Sequence, residues 1–85
     1  MIQISQEALG VSLICSVRYA LGRKSYMPGM IMEIVKNHAR FISEGDREVI
    51  VQSIREAARF DRGLGRAIDY EEEWLELADW LERLR

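Results

Sequence analysis

The chain is poor in the residues that reactive chemistry and cross-linking need: one cysteine, one histidine and one proline in 85 residues. A lone Cys15 allows no intramolecular disulfide and no thiolate cluster. Set in an apolar run, it is expected to be a buried structural thiol in a reducing compartment. Nucleophilic catalysis needs a Ser or Cys beside a base, and no spacing pairs Cys15 with His38. No apolar run comes near the roughly 18 residues of a membrane span, and the first residues lack the positive n-region of a signal peptide. These gaps lead to the expectation of an unexported cytoplasmic protein without enzyme activity, metal or cofactor.

What is present suits a small folded domain. Hydrophobic residues make up 48% and charged residues 31%, which is the balance of a globular chain rather than a disordered one. Residues 1–85 form one domain, because two halves would each be too short to bury a core. A chain this size hides only about 60% of its unfolded surface, so a homodimer interface would help stability.

Charge is unevenly placed. Residues 1–42 carry five basic and two acidic side chains, residues 43–68 five of each, and residues 69–85 seven acidic and two basic. Such polarity disfavours the broad basic footprint of a nucleic-acid binder and favours a protein partner with a basic surface.

Periodicity and punctuation predict an all-α fold, a compact bundle of about four helices. The first helix runs over 5–21, with Leu9, Leu13, Val17, Ala20 and Leu21 in one stripe widened by Val11, Ile14 and Cys15, and Gly22 as its stop. A face this broad predicts the central helix. Pro28 suits the first turn of a second helix reaching about Arg40, with Met27, Ile31, Ile34, Val35, His38 and Ile42 on one face. Ser43 with Asp46 three residues later reads as a variant capping box for a third helix ending near Phe60. In it Ile50, Val51, Ile54, Ala57 and Ala58 face inward. The run Val49-Ile50-Val51 has strand propensity, but the helical period continues through Ala58. Asp61 to Ile68 is a glycine-bearing loop that Leu64 is expected to pin to the core. Asp69 with Glu72 is expected to cap the last helix.

That last helix is the most informative element. On a wheel of 100° per residue, Tyr70, Trp74, Leu77, Leu81 and Leu84 gather on a core side adjoined by Ala78. Leu75 points almost opposite, among Glu71, Glu72, Asp79 and Glu82, and Trp80 falls on the boundary beside Glu73 and Glu76. A leucine and an aromatic amid carboxylates resemble an interaction anchor with a charged rim. The candidate partner-binding residues are therefore Glu71, Glu72, Leu75, Glu76, Asp79, Trp80 and Glu82. Such a surface can engage a basic groove where nucleic-acid phosphates normally sit. An ordinary solvated helix face is the bland alternative.

Other patterns carry less. Arg18, Arg23, Lys24, Lys36 and Arg40, with Tyr19 and Tyr26 between them, form a weak nucleic-acid signal without a reading motif. Arg18 is expected to pair with a carboxylate. Glu71, Glu72 and Glu73 diverge around a helix and do not form an oxygen-ligand loop. Gly63 and Gly65 are too sparse for a phosphate cradle. A helix-turn-helix would lead with Glu44 and Asp46 toward phosphates, which argues against it.

The segment Cys15-Ser-Val-Arg-Tyr-Ala-Leu-Gly-Arg-Lys-Ser-Tyr-Met-Pro28 resembles a stretch of short open reading frames from phages, prophages and mobile elements, with Arg18 to Arg23 its distinctive core. Small acidic proteins of that class are often inhibitors of host machinery, anti-CRISPR proteins among them. The resemblance implies a non-enzymatic inhibitor acting in a bacterial host cell, with a CRISPR effector complex as a candidate partner. The alternatives are a small phage regulator of transcription or replication acting through nucleic acid, and a structural dimerisation module.

Overall fold

A computed structural model describes residues 4–22 and 27–84. Its elements are α1 (Gln6–Gly22), α2 (Pro28–His38), a 3-10 turn (Ala39–Phe41), α3 (Glu44–Gly63) and α4 (Glu71–Arg83). The fold is all-α, a compact four-helix arrangement with no strand among the described residues, as the periodicity predicts. The Arg23, Lys24 and Tyr26 part of the basic patch lies outside the described residues.

Local chemistry sets the helix ends. Ser5 Oγ accepts the Ala8 N–H at 3.1 Å and starts α1, and Ser43 Oγ accepts the Asp46 N–H at 3.0 Å and starts α3. Both satisfy donors that the first helical turn leaves open. α2 starts on Pro28, as expected. Its far end is finished by a cation from α3: one Arg47 guanidinium nitrogen donates to the carbonyls of Ala39 and Ile42 at 3.2 and 2.9 Å. His38 donates Nδ1–H to the Ile34 carbonyl at 2.8 Å, which fixes its tautomer.

α3 passes Phe60 and ends in a Schellman motif. Arg66 N–H bonds Asp61 O and Gly65 N–H bonds Arg62 O, each at 3.0 Å, around Gly65 at φ 78°. Gly65→Ala places a Cβ on that left-handed residue and is expected to cost about 1 kcal/mol in denaturant unfolding. An unchanged midpoint would show that the turn relaxes freely.

The packing order differs from the expectation. α3 is the central helix, in contact with α1 on one flank and α4 on the other, while α2 lies against α1 and touches α4. Ile50, Val51, Ile54 and Ala58 of α3 meet Leu13, Val17 and Ala20 of α1, Val35 of α2, and Trp74, Leu77, Ala78 and Leu81 of α4 in one buried cluster. α1 was expected at the centre because its apolar surface is wide. Its fully buried stripe is narrow: Leu9, Ile14 and Leu21 pack only partly against the core, and Val11 and Cys15 face outward. Val11 is 57% exposed, and Cys15 is exposed rather than buried, because it sits about 200° around the helix from Leu13.

Candidate protein-binding surfaces

α4 carries the predicted site on a firmly seated helix. Trp74, Leu77, Ala78 and Leu81 are buried, with Trp80, Leu75 and Leu84 packed partly against the same core. Leu75 therefore does not stand opposite the core. It lies 100° from Trp74, on the flank shared with Glu71 and Asp79, both of which bond to α3. Ala78, expected only to adjoin the core side, is fully buried and turns the core centre toward Leu75.

Tyr70 is a second departure from the wheel. It is not in the helix: it occupies the N-cap position at φ 59°, ψ 37°, without a side-chain cap bond, and is 57% exposed. The expected Asp69 cap is thus one residue too early. A left-handed tyrosine is strained, and strain of this kind often gathers at functional sites. Leu64 is likewise exposed, and Ile68 takes over as the residue that pins the loop.

Three of the six acidic residues in α4 are held by arginines of α3. Arg62 forks onto Glu71, Nε to Oε1 at 2.9 Å and Nη2 to Oε2 at 3.1 Å. Arg55 bonds Asp79 at 3.0 Å and also contacts Glu82. These bonds raise both guanidinium pKa values above the ordinary one, for Arg55 through Glu82 first and Asp79 next, and for Arg62 through Glu71. Such exposed pairs orient α4 on α3 more than they stabilise it.

The remaining carboxylates make the outward surface. Glu72 and Glu76 are exposed and have no ion-pair partner among the described residues. With Asp79 and Arg83 they stand at successive steps of four, three and four residues, a single ridge along the solvent side. Glu73 flanks it. A shallow recess of about 250 Å³ beside the ridge is lined by Lys36, Glu76, Asp79, Trp80 and Arg83. Of the predicted site, Glu72, Glu76 and Trp80 are thus brought together with Asp79, which also bonds Arg55, whereas Glu71, Leu75 and Glu82 lie toward α3.

Of the basic patch, Arg18 and Lys36 among the described residues are engaged within the fold. Arg18 Nε donates to Ser53 Oγ at 3.2 Å, and Ser53 in turn donates to Val49 O at 2.8 Å. Arg18 was expected to pair with a carboxylate; a hydroxyl on α3 meets it instead, because its wheel position faces that helix. Lys36 lies among Glu33, Glu73 and Glu76 along the α2–α4 groove.

A second surface was missed by the sequence reading. Ile4, Val11, Cys15 and Tyr19 on the α1 side, and Met27, Met30, Ile34 and Phe41 on the α2 side, are all exposed. Cys15, Ser16 and Tyr19 of α1 line a recess with Ile31 of α2, so the two stripes adjoin. The signal was available in α1, which has more apolar residues than one buried stripe can use.

No protein-family model, curated protein or solved structure matches the chain. Among the described residues, no helix is long and apolar enough to cross a membrane, and no group of three or more His, Cys, Asp or Glu side chains is placed to hold a metal ion.

Proposed function

We propose that this chain is a non-enzymatic binder that occupies a basic surface of a nucleic-acid-handling protein with the outward ridge of α4. The observation that carries this reading is the pair Glu72 and Glu76, exposed and without an ion-pair partner among the described residues, on a helix whose other face is locked into the core. Carboxylates at helical spacing on a seated helix present negative charge without a backbone ordering cost on binding. Trp80 adds a partly buried aromatic beside them. Tyr70 supplies a second, exposed aromatic at the start of the same helix.

In its most concrete form the binder is an anti-CRISPR protein that docks on the DNA- or RNA-binding surface of a CRISPR effector complex in the bacterial cytoplasm. That form draws on the resemblance of the segment from Cys15 to Pro28 to mobile-element proteins. Action through direct nucleic-acid contact is less well supported, because Arg18 is engaged with Ser53 and Lys36 lies among carboxylates.

The test compares the immobilised wild-type chain with Glu72→Lys/Glu76→Lys on nuclease-treated bacterial lysate, followed by titration of the retained protein at two ionic strengths. Neither glutamate is bonded to a described residue, so the melting temperature should move little, within the effect of about 0.5 kcal/mol typical of exposed sites. Affinity should fall at least about tenfold, and added salt should weaken the wild-type complex. Equal retention by both chains, insensitive to salt, would make the ridge a solvated face and remove the basis of the reading.

A further inference from the structure

We infer that the apolar face of α1 and α2 is the interface between two copies of this chain. The face stands apart from the acidic ridge, and the inference does not depend on the function proposed for that ridge. Val11 and Cys15 on α1, and Met30, Ile34 and Phe41 on α2 and its 3-10 extension, are exposed although the core sides of both helices are already filled by Leu13, Val17, Val35 and Ala39. They are surplus to the folding of one chain. Phe41 is 66% exposed, and a phenylalanine left in water on a domain this small forgoes burial that a partner can supply.

The occupant follows from charge and area. Between Glu7 and Arg18, α1 carries no Asp, Glu, Lys or Arg, and on α2 and its extension the bordering charges, Glu33 near Met30 and Arg40 beside Phe41, are of opposite sign. A two-fold contact sets each patch against its own copy, so a patch of one charge would repel itself. This patch has no excess of one sign to repel. The acidic ridge of α4 could not pair in that way. Ile4, Val11, Tyr19, Met27, Met30 and Phe41 are each about half exposed or more and Ile34 is 38% exposed, so a contact spanning both helices draws on surface of the order of the ~800 Å² that each partner gives to a standard stable interface. Residues three and four apart on two neighbouring helices also form the ridges by which helix pairs interlock. Two copies would then make a four-helix layer from α1, α2 and their symmetry mates, with both α4 ridges left outward.

Sedimentation velocity in reducing buffer, from about 1 to 100 μM chain, tests this. The wild-type chain is expected to reach twice its monomer mass within that range. Val11→Glu and Phe41→Glu, both at exposed positions, should keep the helical circular dichroism spectrum and weaken dimerisation at least about tenfold, because each buries an unpaired carboxylate in the contact. Two variants on different helices guard against one failing to fold. Cys15 gives an independent readout: its reaction with Ellman's reagent should slow as the wild-type chain associates, and run at the fast monomer rate in both variants. A monomer at the highest concentration, a dimer that survives both substitutions, or a dimer whose Cys15 reacts at the monomer rate would overturn the assignment.

Discussion

Trp74→Ala is expected to lower stability by about 3–5 kcal/mol, the usual cost of emptying a large aromatic site in a core. Trp74 is the largest fully buried side chain, at 1% exposure. It sits in the first turns of α4, against a cluster drawn from all four helices. A chain of this length holds roughly 5–15 kcal/mol in total, and a small core belongs near the lower end. The variant should therefore populate the unfolded state measurably at growth temperature. Urea unfolding followed by far-UV circular dichroism gives the difference directly. Trp74→Phe fills much of the same space and should cost less than half as much. Its usefulness is functional: if α4 acts through its outer ridge, Trp74→Phe should bind the partner as the wild type does, whereas Trp74→Ala should lose binding in proportion to its unfolded fraction. A Trp74→Ala chain as stable as the wild type would mean that α4 is not seated by this residue.

The physical reach of the sequence reading is visible in particular residues. Helix existence was legible because period, caps and glycine stops agree: Ser43 bonds the Asp46 N–H, Pro28 opens α2, and Ile50, Ile54 and Ala58 are buried together. Side assignment failed wherever a wheel was carried past a helix end or a helix had more apolar residues than it could bury. Tyr70 precedes the first residue of α4, so its wheel position has no meaning, whereas Leu75 is nearer the core than expected because buried Ala78 turns the core side toward it. Cys15 and Val11 widened the apparent core stripe of α1, because composition does not say which of two apolar faces meets the chain's own core. The choice of α3 as the centre needed the tertiary arrangement. Its buried face, Ile50, Val51, Ile54 and Ala58, spans about 100° of the wheel with no side chain larger than isoleucine, so two helices can rest on it side by side.

Ion pairing was the other hidden term. Seven acidic residues near the C-terminus read as one negative surface in the sequence. Arg55 and Arg62, at 24 and 9 residues from their partners Asp79 and Glu71, turn part of that surface inward onto α3. The ridge that remains is smaller and better defined, centred on Glu72 and Glu76, which have no ion-pair partner among the described residues. Charge reversal at Asp79 would disturb the Arg55 pair and mix stability with binding, which is why the functional test avoids it.

The distance between α1 and α3 yields the second large effect. Gly10 is buried in α1, and a Cβ built on it would run into the Asp46 carboxyl group, with Asp46 Cβ at 3.2 Å. Glycine here permits close approach of two helices, at a helix-propensity cost of about 1 kcal/mol relative to alanine. Gly10→Ala recovers that amount but must displace the Asp46 side chain, an overpacking typically worth about 1–3 kcal/mol. Asp46 also belongs to the first turn of α3, where its negative charge suits the helix dipole. The net expectation is destabilisation by Gly10→Ala, and a larger one by Gly10→Val. In an Asp46→Ala background the obstructing carboxyl is gone, and only the close Cβ contact remains to be relieved by a few tenths of an ångström. There Gly10→Ala should become neutral or stabilising, which gives a coupling of about 2 kcal/mol between the two sites. Denaturant unfolding of the wild type, both single variants and the double variant measures it. The same sign and size of the Gly10→Ala effect in both backgrounds would show that Asp46 does not set the depth at which α1 rests on α3, and with it the angle at which Val11 and Cys15 are turned outward.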